Sequence, residues 1–530
     1  MTLNRGDWYF MMFALVMAVM MSRTYMYVIQ QDNYRIREIF SSRRIRSAYL
    51  TDLVCIVIFG GAWTGCFFIK SRIFWGFLSS LFFAIAIVAL YFVEEAPKKK
   101  KPFRYTRRAV RGIASVSLVD TALVTLAVAA LNGYVGDEYY RYCLFFVVPP
   151  LFPLIFAVTM SVVNVFERLN NSRYERRTAR ILRENRDLIK IGITGSSGKT
   201  SVKRALAAML ETRFNVLATP ESYNTPMGIA KTVKRLDATH DIFIAEMGAR
   251  RRGDIARLMR IVRPSHTVLT TVNNQHLGTF GSREAILKEK LRVLDVRDED
   301  GVCVVNDALA ECEKVKADKN ANIVLAGSRE SSPVHYGDVA VCESGSAFTL
   351  HLYGTRVECA TALLGVHNIE NLTLAAGMAF ALGVSPEQIR DAISRIEPTP
   401  HRLQLIDGNG IRIIDDTFNS SPDGARRALE VLSLFAGRKV VVTPGLVELG
   451  AAEEEENVRL GEELAEVADV IVLVGKRRIR SIAEGTRRAG FEGNIMTFGS
   501  LAEAEASFGE ILHIGDVLLL LNDLPECYDD

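Results

Sequence analysis

Two hydrophobicity patterns divide the chain. Up to about position 166 the apolar residues run together, whereas beyond it they alternate with charged residues as in a water-facing fold. Spanning a bilayer takes about 20 mostly apolar residues, and five stretches are that long: 8–29, 50–69, 73–93, 113–131 and 143–165. Arg23 interrupts the first. A cleaved signal peptide is the alternative for that stretch, disfavoured because no A-x-A-like site follows it and further spans do. Arg35, Arg37, Arg43, Arg44 and Arg46 lie between the first two spans, and Lys98, Lys99, Lys100, Lys101, Arg104, Arg107, Arg108 and Arg111 between the third and fourth. A third basic run, 168–186, follows the fifth, while Asp137 and Glu138 make the loop before it acidic. Positive charge stays on the cytoplasmic side. Five spans with an outside N-terminus therefore predict a multi-pass protein of the cell membrane whose later domains lie in the cytoplasm. Asp120, inside the fourth span, either meets a partner or substrate or makes a structural hydrogen bond within the bundle. The segment 167–187 predicts a basic helical stalk near lipid headgroups.

From Ile189 short apolar runs alternate with helical patterns: "IKIGITG", "DIFIAEMG", "TVLTTV", "GVCVVN", "KVVVTPG", "VIVLVG" and "DVLLLL". Such alternation predicts parallel sheets covered on both faces. The two prolines of "EPTPHR", 397–402, break the series in two. The reading is thus an α-helical membrane domain with its stalk at 1–187, then α/β: a central domain at 188–398 and a Rossmann-like C-terminal domain at 399–530, the last without a GxGxxG turn.

Composition changes this picture little. The net charge of +3 hides an asymmetry, with basic loops beside the spans and acidic stretches such as Glu453 to Glu456 later. A basic excess placed there suits anionic membrane lipids, not nucleic acid. Eight cysteines form no CxxC pair, and three of them lie in apolar runs. That argues against zinc or a disulfide framework and for a reducing compartment.

Candidate chemistry begins at "TGSSGKTS". Gly195 and Gly198, with Ser196 and Ser197 between them, let backbone N–H groups converge on phosphate oxygens at a helix N-terminus; Lys199 can reach the β and γ phosphates, and Thr200, followed by Ser201, can ligate magnesium. The spacing is not the full GxxxxGK[ST], because Ile193 stands where its first glycine would be.

The variant TGxxGKT resembles the Mur ligase family, and in order along the chain further motifs resemble that family's D-alanyl-D-alanine-adding members. "SYNTPMGI" resembles their substrate-side loop, with Asn224 and Thr225. "FIAEMGARRRGDI" places Glu246 as a magnesium ligand. "NNQHLGTFGSREAILKEK" resembles the His motif followed by a lysine that becomes carbamylated, matching His276 and Lys290. "GVHNIENLTLAA" resembles the adenine-contacting segment, with Asn368 and Asn371, and "HRLQLI" supplies Arg402 for the nucleotide. "DDTFNSSPDG" and "TPGLVELG" resemble the C-terminal signature, so that Asp416 and Asn419 line the cleft where amine and nucleotide meet. The resemblance covers Lys190 to Asp530. It implies ATP and Mg2+ as cofactors, a metal set of Thr200, Glu246, His276 and Lys290, and ATP-dependent joining of a carboxylate-bearing cell-envelope precursor to an amino acid or dipeptide amine. Catalytic roles then fall on Lys199, Glu246, His276, Lys290 and Asp416.

The residue types suit that chemistry. A carboxylate and a γ-phosphate repel each other, and magnesium and Lys199 neutralise them. A lysine cannot ligate a cation as ammonium, but its carbamate can. Taken alone, "KEKLRV" reads better as an amphipathic helix with solvated lysines, and a lone histidine as a loop residue; only the shared context reverses this. The N-terminal UDP-sugar domain of the cytosolic relatives has no counterpart in this chain, Ser421 stands where asparagine is usual, and "PGLVELG" replaces GDMxELG. A ligase building a poly-amino-acid or modifying a lipid-linked polymer, and an idle nucleotide-binding scaffold for wall-synthesis enzymes, stay open as alternatives.

Overall fold

The computed structural model describes residues 5–31, 103–131 and 144–523, together with Tyr34, Ile36 and Ile39 and apart from 274, 296–299, 318–321, 419, 420, 448 and 477. Contacts divide the chain into two compact units, Met1–Ser172 and Arg173–Asp530.

The first unit holds helices α1 (Arg5–Gln31), α2 (Arg107–Leu131) and the beginning of α3 (Leu144–Glu184). Its interior is built from Met21, Tyr25, Met26 and Ile29 of α1, Ala109 and Val116 of α2, and Phe152, Phe156 and Met160 of α3. The helices approach closely at Gly112, where a Cβ would fall 2.4 Å from Met26 Cε. Arg108 donates to Asn164 Oδ1 at 2.7 Å, and Arg111 pairs with Glu167 at 2.6 Å. Among the described residues two segments are long and apolar enough to cross a membrane, Arg107–Ala127 and Leu151–Glu184. Leu118, Leu126, Leu154 and Phe166 on these helices are exposed. The stretch 8–29 is helical within α1, and Asp120 is buried on α2. The predicted spans at 50–69 and 73–93 lie outside the described residues.

The stalk segment forms the end of α3. Leu182 is buried in the core that includes Leu188, Phe243 and Leu258, and Glu175 pairs with Arg257 at 2.5 Å. An apolar side on an otherwise basic helix thus packs its last turns on the α/β unit, and the division by contacts falls after Ser172.

The second unit contains two sheets. The first has nine strands in the order β2-β3-β1-β4-β5-β6-β7-β8-β9: β1 Ile189–Thr194, β2 Val216–Ala218, β3 Ile242–Glu246, β4 His266–Leu269, β5 Val302–Asn306, β6 Asn322–Gly327, β7 Val334–Cys342, β8 Gly345–Leu352 and β9 Thr355–Thr361. Strands β1 to β6 are parallel with crossover helices, which is why β3 and β5 are buried residue by residue. The second sheet has the order β10-β11-β15-β12-β13-β14, with β10 Gln404–Gly408, β11 Ile411–Asp416, β12 Lys439–Thr443, β13 Val470–Val474, β14 Asn494–Phe498 and β15 Val517–Leu521. The chain passes from the first sheet to the second through 397–402. The all-parallel expectation fails at two places: β7, β8 and β9 form an antiparallel extension, and β10 pairs antiparallel with β11. The edge strand β9 has one exposed face, so its buried residues alternate instead of running together.

Candidate active site

The site gathers at the C-terminal ends of β1, β3 and β4, where open α/β sheets collect ligands. After β1 the chain turns through Gly195 (φ 153°) and Gly198 (φ 81°) into helix α4, Lys199–Leu210. Both glycines are required by space as well as by backbone. A Cβ would lie 1.8 Å from Thr270 Oγ1 at Gly195 and 2.3 Å from Asn371 Oδ1 at Gly198. The loop is tied from the β4 side by Ser196 N–H to Thr271 O at 2.7 Å, Ser196 Oγ to Asn273 O at 3.3 Å and Thr270 Oγ1 to Ser197 O at 2.5 Å. Lys199 Nζ folds back over this loop and donates to the carbonyls of Gly195 (2.8 Å) and Ser196 (2.5 Å). Burial pushes the Lys199 ammonium down to about 8, against the pull of Glu246 and with a further push from Arg402.

Glu246, the last residue of β3, is the hub. Its side chain is 1 % exposed. Oε2 accepts from Thr200 Oγ1 at 3.0 Å and from Lys203 Nζ at 2.9 Å, and Oε1 accepts from Asn224 Nδ2 at 3.2 Å. Burial would raise its pKa, but the Lys203 and Lys199 ammonium groups and the hydrogen bonds from Lys203 and Thr200 outweigh that, so the carboxyl is held below the usual range. Lys203 is a site residue that no sequence motif marks. It lies one helical turn beyond Lys199, and that i,i+4 spacing is the signal that both lysines face the same partner.

Lys290 ends the helix Arg283–Lys290 and is buried. Burial first, then the Lys199 ammonium, drives it far below the lysine range, against the pull of Glu289, Asp254 and Glu246. It is thus no solvated helix lysine. His276 sits on the loop between β4 and this helix, at the N-cap of the short helix Leu277–Phe280, with a left-handed backbone (φ 65°). Thr225 caps its own helix, Pro226–Val233, by accepting from Gly228 N–H.

On the other side of α4 a cleft is lined by Ser201, Arg204, Asn368, Asn371, Glu397 and Arg402, among others. Asn368 and Asn371 lie on helix Val366–Ala381, Asn368 bonding back to Leu364 O at 2.8 Å. Arg402, on the segment that leads into β10, reaches Thr200 Oγ1 at 3.5 Å, its guanidinium 4.6 Å from the centre of the Phe418 ring. Burial pushes Asp416 up to about 7, against the Leu403 N–H bond and Arg402, with Asp415 adding to the rise. His401 Nδ1 lies 2.8 Å from Asp415 Oδ2 beside it. Asn273 Nδ2 donates to Ser421 Oγ at 3.4 Å, and Arg427 pairs with Glu370 at 3.4 Å, joining the two sheets across the site. Asn419 lies outside the described residues.

The structure thus brings together Lys199, Thr200, Glu246, Asn224, Lys290, Asn371 and Arg402. Among the described residues no three His, Cys, Asp or Glu side chains cluster as a metal cage. An ionised carboxylate beside a hydroxyl, at a phosphate-binding turn, nevertheless fits magnesium, which is held by one or two carboxylates plus substrate phosphates.

Two family models match, the Mur ligase middle domain over residues 193–379 and the Mur ligase glutamate ligase domain over 401–521. The UDP-N-acetylmuramoyl-tripeptide--D-alanyl-D-alanine ligase of Mycobacterium leprae is 32% identical over 361 residues, 62% of this chain and 70% of that protein. The chain belongs to the Mur ligase family. The ligase of the same name from Mycobacterium tuberculosis is 36% identical over 331 residues, 60% of this chain, and the chain spans 63% of that relative's length. MurF from Acinetobacter baumannii superposes with a TM-score of 0.62 at 28% identity, covering 68% of this chain and 78% of that one. MurF ligase from Thermotoga maritima, solved with ADP, shares the fold at 23% identity, with a TM-score of 0.60 over 68% of this chain and 81% of its own.

Proposed function

We propose that the protein is a membrane-anchored, ATP-dependent and ADP-forming peptide ligase of peptidoglycan precursor synthesis that joins D-alanyl-D-alanine to a UDP-muramoyl tripeptide. One observation carries the reading: Lys199, Thr200, Glu246 and Arg402 meet at a single phosphate-binding turn, in a chain that resembles ligases of that name. The tripeptide carboxylate attacks the γ-phosphorus of ATP to give an acyl phosphate and ADP. The dipeptide amine then attacks the acyl carbon, phosphate leaves, and the amine nitrogen gives up its proton. When bound, magnesium supplies charge neutralisation to the phosphates. Lys199, now turned onto its own loop carbonyls, swings onto the β and γ oxygens. Thr200 and Glu246 present hard oxygens, and Arg402 reaches across from the segment before β10 to hold the nucleotide. Asn368 and Asn371 line the cleft for the base, and Asn224 orients the substrate side of Glu246. Burial favours the neutral amine of Lys290, the form that adds CO2 with an N–C bond formed and one proton released, which would give an anionic oxygen ligand near Glu246, with His276 on the loop before it. Asp416 is the described residue assigned to the side of the incoming amine.

The apolar helices that precede the ligase part favour anchorage in the cell membrane with the α/β domains in the cytoplasm. They also favour a second reading, in which the carboxylate is lipid-linked. Full-length protein in detergent with ATP, Mg2+, UDP-N-acetylmuramoyl tripeptide and D-alanyl-D-alanine should yield ADP and a product heavier by one dipeptide less water. Product from a lipid-linked acceptor alone would favour the second reading, and ATP turnover without any amide would contradict both.

A pH effect follows from Lys199. Its ammonium is mostly lost at pH 9 and mostly present at pH 7. A phosphate beside it restores the charge, so ADP binding at pH 9 should take up roughly one proton, fading toward pH 7. Calorimetry in two buffers of different ionisation enthalpy measures this; no uptake at pH 9 would contradict the placement.

A further inference from the structure

We infer that Lys203 is a positioning residue that couples a divalent cation at Glu246 to the substrate-side loop 221–225; this rests on the reading of Glu246 as a cation ligand. The Lys203 side chain is 3 % exposed, and an ammonium is buried only where it is paired and hydrogen-bonded. It has two partners. One is Glu246 Oε2 at 2.9 Å. The other is the main-chain carbonyl of Glu221, a residue with left-handed backbone (φ 42°) at the start of the loop. Farther along the same loop, Asn224 donates to Glu246 Oε1 and its carbonyl accepts from Gly248 N–H at 2.9 Å. The two oxygens of one carboxylate therefore hold the two ends of the loop, Oε2 through Lys203 and Oε1 directly.

A divalent cation arriving at Oε2 meets a positive charge already bonded to that oxygen. Binding requires Lys203 to yield, and its yielding loosens Glu221. By linkage the converse holds, so that a substrate drawing the loop and Lys203 away frees Oε2 for the cation. Such a device keeps the metal site weak until the carboxylate substrate is seated, which restrains ATP hydrolysis without ligation.

The test uses full-length protein in detergent with ADP, titrated with Mn2+ and followed by electron paramagnetic resonance, with hydrogen exchange at 221–225 as a second readout. Lys203→Met should bind Mn2+ about tenfold more tightly, because a like charge has been removed, and Lys203→Arg should stay near wild type. In the wild type Mn2+ should speed exchange at 221–225, and in Lys203→Met exchange should be fast with or without it. Equal or weaker Mn2+ binding by Lys203→Met would overturn the proposal. Should that variant not fold, unchanged loop exchange on adding Mn2+ to the wild type would do the same. Glu246→Gln separates the two levels: if it binds Mn2+ as the wild type does, the cation-ligand reading falls and the coupling with it. If only Glu246→Gln differs from wild type, the coupling alone falls.

Discussion

Replacing Lys199 with Met should cut ATP-dependent ligation by roughly a hundred- to a thousandfold, the usual cost of removing one charge-stabilising group aimed at a transition state. Burial holds this ammonium down to about 8, and it donates to the carbonyls of Gly195 and Ser196. A positive charge parked on two backbone carbonyls gains less than one that meets phosphate oxygens, so the lysine is poised for its ligand. Methionine keeps most of the volume and removes the desolvated charge. The thermal midpoint without nucleotide should therefore hold or rise, while the stabilisation given by ADP shrinks. Activity and midpoint falling together would mean that Lys199 serves the fold.

Lys290→Ala should cost at least roughly a hundredfold in rate, for a different reason. Burial, and then the Lys199 ammonium, favour the neutral form of this amine, and a neutral amine is the form that adds CO2. The product's negative charge would be stabilised by the Lys199 ammonium that destabilises the protonated amine. Wild-type activity should then fall in CO2-depleted buffer and return on adding bicarbonate, whereas the residual activity of Lys290→Ala should ignore both. A wild type indifferent to CO2 would leave Lys290 as a buried amine and no ligand.

Much of the site is legible in the sequence because its parts sit at fixed points of a parallel sheet. Strand β1 runs into Gly195 to Thr200, and β3 ends on Glu246. Short apolar runs mark such strands, and the residues just past them face the ligand crevice. The pattern is silent where structure depends on distant partners. Lys203 looks like a solvated helix lysine until β3 is placed beside α4. The last turns of α3 look like a basic stalk, and only Leu182 and Glu175, through Phe243 and Arg257, tie them to the α/β unit. Strand β9 leaves little trace in the pattern because its buried positions alternate with exposed ones and no apolar run forms. His401, Asp415 and Phe418 crowd around Arg402 through bends in a loop whose left-handed residues, His401 and Leu403, are not glycines.

The central claim, that a carboxylate is activated by the γ-phosphoryl group at the Lys199 turn, can be read from one label. The full-length protein is given ATP, D-alanyl-D-alanine and acceptor whose reacting carboxylate carries 18O, and the released phosphate is analysed by mass. Transfer of one 18O into inorganic phosphate for each amide formed is the predicted result. Label found in AMP, or amide formed with unlabelled phosphate, would contradict it.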